Sequence, residues 1–169
     1  TSGIPEEGKS TVAMNLAISM ARDGRRVVVI DADFRRPAQH RFFPDTGNHV
    51  GVTNVLLGEV RLEEALQALP IPGLQLLASG TLPGDPGALV ESLKMRQLLL
   101  DVGRQCDVVV VDTPPVMVVH DAVVVGRQVD GLVVVVEAVR VRARPVRAPL
   151  QRQVHRTRHG HDEHVQHVT

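Results

Sequence analysis

The sequence predicts an α/β protein built on a doubly wound, mostly parallel sheet. Three observations carry this expectation. The runs "RRVVVIDAD", "DVVVVDTPP" and "GLVVVVEA" are apolar without alternation, as in strands buried on both faces. Segments with helical spacing separate them. The chain has 169 residues, enough for one domain with a substantial core.

The elements follow in order. Thr11 to Asp23 reads as a helix, with Val12, Leu16 and Ile18 apolar and Gly24 as its stop. "RRVVVIDAD" is the first buried strand. "GVTNVLLGEVRLEEALQAL" holds two short helices broken near Gly58. "GLQLLASG" is the next strand, and residues 83–87 form a Pro/Gly loop. "ALVESLKMRQLLLDVGRQC" reads as one helix with Leu89, Leu93, Leu98 and Leu99 on a shared face. "DVVVVDTPP" is a buried strand ending in a tight turn, "AVVVGRQV" a short helix, and "GLVVVVEA" a further buried strand.

Composition narrows the function classes. The formal net charge is zero, which gives no whole-chain signal for nucleic acid or a membrane surface. Cys106 is the single cysteine, so no internal disulfide forms, and with no activating partner in view it reads as a packed thiol. No apolar run reaches the roughly 20 residues of a membrane span. There is no tyrosine.

Three stations carry chemistry. Gly3, Gly8, Lys9 and Ser10 fit G-x-x-x-x-G-K-[ST], directly ahead of the first helix. Backbone N–H groups of such a loop wrap a phosphate, the lysine neutralises its oxygens, and the Ser10 hydroxyl suits Mg²⁺. Glu6 and Glu7 sit inside the loop, where carboxylates repel phosphate, so they are expected to point outward. Asp31 and Asp33 end the first buried strand, where ligands bind in open α/β sheets. Their i, i+2 spacing directs both carboxylates the same way, either toward Mg²⁺ or toward an attacking hydroxyl. A solvated strand end paired with Arg35 and Arg36 is the competing reading. Asp112 ends the second valine run, the place of a carboxylate that holds Mg²⁺ in P-loop NTPases.

Together with their flanks these stations resemble a known family. "TSGIPEEGKST", "VVVIDADFRRPAQH", "GVTNVLLG", "LQLLASGTLPGDPGALVES" and "CDVVVVDTPPVMVVHDA" resemble consecutive blocks of the bacterial tyrosine kinases of capsule and exopolysaccharide synthesis, from Thr1 to about Glu137. The resemblance implies a P-loop NTPase fold, ATP and Mg²⁺ as cofactors, and phosphoryl transfer to tyrosine. It implies that Gly3, Glu7, Gly8, Lys9, Ser10, Thr11 and Arg35 contact the nucleotide. Lys9, Asp31, Asp33 and Asp112 would be catalytic, with Asp31 the favoured group to polarise the acceptor hydroxyl. Ser10, Asp31 and Asp112 would hold the metal. Asp31, Asp33 and Arg35 would form the acidic D-x-D-x-R element, called Walker A′, and Asp112 the Walker B carboxylate. Implied partners are a membrane polysaccharide chain-length regulator, fused upstream or separate, and further copies of the chain. The implied place is the cytoplasmic side of the plasma membrane. His40, Phe42 and Phe43 either line a subunit contact or anchor their own loop.

The sequence departs from the family in four places. Glu6 stands where the family has glycine, the family's strand before the loop is missing from this sequence, the chain holds no tyrosine where the family's tail is rich in it, and the Arg/His segment resembles neither the helix nor the strand with which the family continues. From residue 138 to 169 periodicity is lost while seven arginines and five histidines accumulate. That stretch is expected to be a disordered tail outside the kinase domain, residues 1–137. The tail histidines lack a scaffold for a metal site. The expectation is a piece of a longer protein whose tail is an altered reading of a GC-rich gene, which the other two reading frames would test. Two other readings stand beside the kinase: a non-kinase deviant-Walker ATPase of the partitioning or septum-placement type, which usually carries a second loop lysine absent here, and an inactive nucleotide-binding fragment.

Overall fold

The computed structural model describes residues 1–137; the expected disordered tail lies outside the described residues. Helix α1 spans Lys9–Arg22, strand β1 Val27–Asp31, α2 Val52–Leu57, α3 Leu62–Ala65, β2 Gln67–Ala68, β3 Leu74–Leu77, α4 Pro86–Val90, α5 Leu93–Gly103, β4 Val108–Asp112 and α6 Asp121–Gly126. The four strands form one sheet in the order β2-β3-β1-β4. β1 runs parallel to both β3 and β4, and only the two-residue β2 is antiparallel.

The all-apolar β1 run is buried along its whole length because helices cover both faces. Val27 and Val29 pack with Met14, Ala17 and Ala21 of α1. Val28 and Ile30 face the opposite way, into a cluster with Leu56 of α2, Met95, Leu98 and Val102 of α5, and Val125 of α6. One strand thus belongs to two cores, and its parallel pairing with β4 brings their carboxyl ends to one level.

Several boundaries differ from the sequence reading for local reasons. α1 begins at Lys9, two residues early, because Gly8 adopts the left-handed conformation (φ 80°) and its carbonyl accepts the N–H of Val12. The single helix expected over residues 88–106 is two, α4 and α5, because Ser92 caps α5 by accepting the Met95 N–H. That shift turns Leu93 out to 83% exposure; the buried face is Met95, Leu98, Leu99 and Val102.

Of the buried strand expected over 131–138, the described residues 131–137 form no strand. Leu132, Val133, Val134 and Val136 are each more than half exposed, and the one pairing there is a bridge between Ser2 and Val135. A strand needs a neighbour within about 4.8 Å, and among the described residues β4 has one on its β1 side alone. Its outer edge faces an apolar cleft of about 220 Å³ lined by Val12, Leu16, Val109, Val111 and Val133.

Backbones approach closely where α2 begins. The N–H of Val52 reaches the carbonyl of Ala78 at 2.8 Å. A Cβ on Gly51 would sit 2.0 Å from that same oxygen. Gly51→Ala is therefore expected to destabilise the domain by about 1–3 kcal/mol, as overpacking does. Urea unfolding of the variant beside the parent measures it, and an unchanged midpoint would refute this packing.

Candidate functional site

The loop from Gly3 to Ser10 is held from below and from the side. The Ser2 carbonyl accepts the N–H of Val116 at 2.8 Å, and Thr1 Oγ1 donates to the Pro114 carbonyl at 2.7 Å, tying the loop to the turn after β4. Glu7 does not point outward as expected. It is 9% exposed, and its Oε2 accepts the N–H of Ile4 at 2.9 Å, so this carboxylate braces its own loop. Glu6 is exposed with φ 67°, and among the described residues it alone holds a positive φ without being glycine. Gly3 is half-buried; Gly8 and Thr11 are exposed at the start of α1.

Lys9 is the centre of the site. Its ammonium lies 2.9 Å from Asp33 Oδ2, 3.5 Å from Asp112 Oδ1 and 3.1 Å from Ser10 Oγ. Burial alone would lower its pKa, but the charges of Asp112 and Asp33 outweigh burial and raise it. The strand register explains the convergence: Asp31 of β1 pairs directly with Asp112 of β4, so two parallel strands end in carboxylates at one level.

The i, i+2 carboxylates part company in the fold. Asp33 turns to Lys9. Asp31 is fully buried and turns back onto the chain, accepting N–H groups from Asp33 at 3.2 Å and from Ala38 and Gln39 at 2.9 Å each. Burial, helped by the charge of nearby Asp112, pushes its pKa up to about 7 against the pull of the N–H bonds from Gln39, Ala38 and Asp33. Beside Lys9 a cleft of about 240 Å³ opens, lined by Pro5, Glu6, Lys9, Asp33, Arg35 and Pro115. Asp33 faces this cleft; Asp31 does not.

Arg35 meets Asp121 at 3.4 Å, fastening the end of the β1 turn to α6. Sequence reasoning did not single out Asp121, nor Gln39, whose amide lies 2.7 Å from Asp112 Oδ2. Neither has a signal in spacing: each acts across the fold, 86 and 73 residues from its partner. Phe43 packs on the α1-side core and so anchors its loop, while Phe42 is 38% exposed. The Cys106 thiol donates to the Val102 carbonyl, and burial raises its pKa.

The donor set suits a hard cation. Of the expected metal donors, Asp31 is occupied by backbone N–H groups, and Ser10 and Asp112 offer only oxygen ligands. Among the described residues no three acidic, His or Cys side chains converge into a metal cage. Mg²⁺ does not require one, since it keeps waters and binds through one or two carboxylates plus substrate phosphates.

Residues 6–144 match the family described as AAA domain. The chain belongs to this family. Its curated relatives are named as tyrosine-protein kinases. "Tyrosine-protein kinase YwqD" of Bacillus subtilis (strain 168) is 42% identical over 139 residues, covering 82% of this chain and 58% of the relative. The chain thus spans little more than half of YwqD and 18% of the tyrosine-protein kinase etk of Escherichia coli (strain K12). The solved kinase domain of VpsO superposes with a TM-score of 0.76 at 36% identity, over 79% of this chain and 66% of that one. The septum site-determining protein MinD of Pyrococcus horikoshii OT3, solved with Mg-ADP, superposes at 0.56 with 22% identity, over 68% and 46% of the two chains, and shares the fold.

A pH dependence follows from Asp31. Its pKa is raised in the fold, to about 7 from an unfolded value of 3.8. The native state therefore holds the extra proton between those values, and stability falls as pH rises from about 4 to about 7, then levels. In EDTA without nucleotide, wild-type stability minus that of Asp31→Asn should decline across that window in urea titrations. A rise instead would mean that the fold favours the charged carboxylate.

Proposed function

We propose that this chain binds Mg²⁺-ATP and transfers its γ-phosphoryl group to tyrosine, as the kinase portion (residues 1–137) of a bacterial autokinase of exopolysaccharide or capsule synthesis. The observation that carries the reading is the convergence of Lys9, Ser10, Asp33 and Asp112 beneath the loop at the carboxyl ends of β1 and β4. The curated relatives' names support the reaction class.

Each residue has a role in this reading. Backbone N–H groups from Gly3 to Thr11 and the start of α1 bind phosphate, and Lys9 leaves its two carboxylates to neutralise phosphate oxygens. Ser10 and Asp112 hold the metal. Bound Mg²⁺ supplies charge neutralisation on the transferring group. Asp33, facing the cleft, orients the acceptor hydroxyl. That assignment replaces Asp31, whose buried carboxylate instead sets the turn from which Asp33 and Arg35 project. Glu7 supports the loop from inside.

The sequence contains no tyrosine, so the acceptor is supplied by another polypeptide or by a part of the protein outside this sequence. The family resemblance suggests a membrane chain-length regulator as partner, self-association, and a place at the cytoplasmic face of the plasma membrane. Among the described residues no helix is long and apolar enough to cross a membrane. The switch-ATPase reading calls for a second loop lysine, and residues 1–8 hold none.

Incubation with labelled Mg-ATP and a tyrosine-rich peptide tests the proposal. Label should appear on the peptide, never on tyrosine of this chain, and Lys9→Ala should abolish both labelling and ATP binding by calorimetry. Nucleotide binding without labelling would favour the switch ATPase; undiminished binding by Lys9→Ala would remove the P-loop reading altogether.

Glu6 generates a separate expectation. Replacing it with glycine relieves about 1 kcal/mol of left-handed backbone strain but frees the unfolded chain by a similar amount, so stability should barely move. Loss of the carboxylate beside the phosphate site should tighten ADP binding about two- to tenfold at low salt, with the gain shrinking as salt rises. An equal or weaker affinity at 20 mM salt, a concentration on the order of that where screening is slight, would show that Glu6 does not face the ligand.

A further inference from the structure

Gln39 is a polar side chain with no exposed surface. Glutamine is seldom fully buried without a reason. It opens the short helical turn Gln39–Arg41, eight residues beyond Asp31. Its backbone N–H donates to Asp31 Oδ2 at 2.9 Å. Its side-chain Nε2 donates at 3.1 Å to the carbonyl of Ser10 in the loop and at 2.7 Å to Asp112 Oδ2 at the end of β4. One residue therefore touches all three acidic and basic stations of the site.

The amide orientation is dictated by chemistry. A peptide carbonyl and a carboxylate can only accept, so the NH₂ end must face them. The other end, Oε1, is buried and meets no donor among the described residues. The side chain is thus employed for its two N–H donors. Neither methionine, which lacks donors, nor glutamate, which would set a second carboxylate against Asp112, reproduces that.

The effect falls on Asp112. Its Oδ2 is tethered by Gln39, and its Oδ1 lies 3.5 Å from Lys9. A carboxylate held by one oxygen cannot rotate freely, so the other oxygen stays directed at the loop. We infer that Gln39 is a positioning residue that orients the Asp112 carboxylate for the magnesium of a bound nucleotide and locks the start of α1 to the end of β4. The inference rests on the Mg²⁺-nucleotide reading above. Partners that orient a metal-ligating group typically affect metal affinity 10- to 100-fold, and preorganisation is how such residues act without touching the ligand.

Calorimetry of ADP with this chain, in EDTA and in Mg²⁺, tests it through binding alone. Gln39→Met keeps the volume and removes both donors. Its affinity for ADP in EDTA should stay within about twofold of wild type, while the gain in affinity that Mg²⁺ confers should fall by about tenfold or more. Gln39→Glu keeps size and polarity and should lose at least as much. Thermal melts confirm folding, and Gln39→Glu serves if Gln39→Met does not fold. The inference is overturned if both variants keep the wild-type Mg²⁺ gain, if ADP affinity falls equally with and without Mg²⁺, or if neither variant folds, since Gln39 would then only hold the structure. A wild-type chain that binds ADP without any Mg²⁺ gain would instead overturn the metal reading itself, and this inference with it.

Discussion

Three buried carboxylates beside a single lysine are the constraint around which this fold is arranged. Asp31, Asp33 and Asp112 are each at most 3% exposed. A buried charge without partners is too costly to keep. The chain answers each one differently. Asp112 takes Lys9 on one oxygen and Gln39 on the other. Asp33 takes Lys9 on Oδ2 and the N–H groups of Arg35 and Arg36 on Oδ1. Asp31 takes backbone N–H groups alone, and its raised pKa shows that they do not fully replace water.

That division of labour separates the two aspartates of one motif. Burial and the turn at residues 38–39 claim Asp31, while Asp33, one pleat further, reaches the lysine and the cleft. The turn in turn delivers Gln39 to the loop and to β4. The turn after the D-x-D element thus ties the ends of β1 and β4 to the start of α1.

The loop shows a related economy. Glu7 lies inward and braces the N–H of Ile4, while Glu6 accepts a strained backbone at the mouth of the cleft. Two adjacent glutamates thus have opposite exposures because only one position has backbone donors within reach. On the far side, the outer edge of β4 faces an apolar cleft, so its valines are only half covered, unlike those of β1.

Much was legible before any coordinates. The valine runs ending in Asp31 and Asp112 read as strands buried between helices, because unbroken β-branched runs suit a parallel sheet covered on both faces, and G-x-x-x-x-G-K-S placed Lys9 at a helix start. Local chemistry encodes such features within a few residues. The helix break at Ser92, the exposure of Leu93 and the failure of 131–137 to form a strand were not legible, since each depends on whether a neighbour is present. The roles of Gln39, Asp121 and Glu7, and the parting of Asp31 from Asp33, are hydrogen-bonding outcomes decided by groups brought together from across the chain. Sequence by itself determined which residues could bear charge at the ends of the strands; the tertiary structure decided which donor each would meet, because a buried carboxylate turns to whatever partner packing places within 3 Å or so.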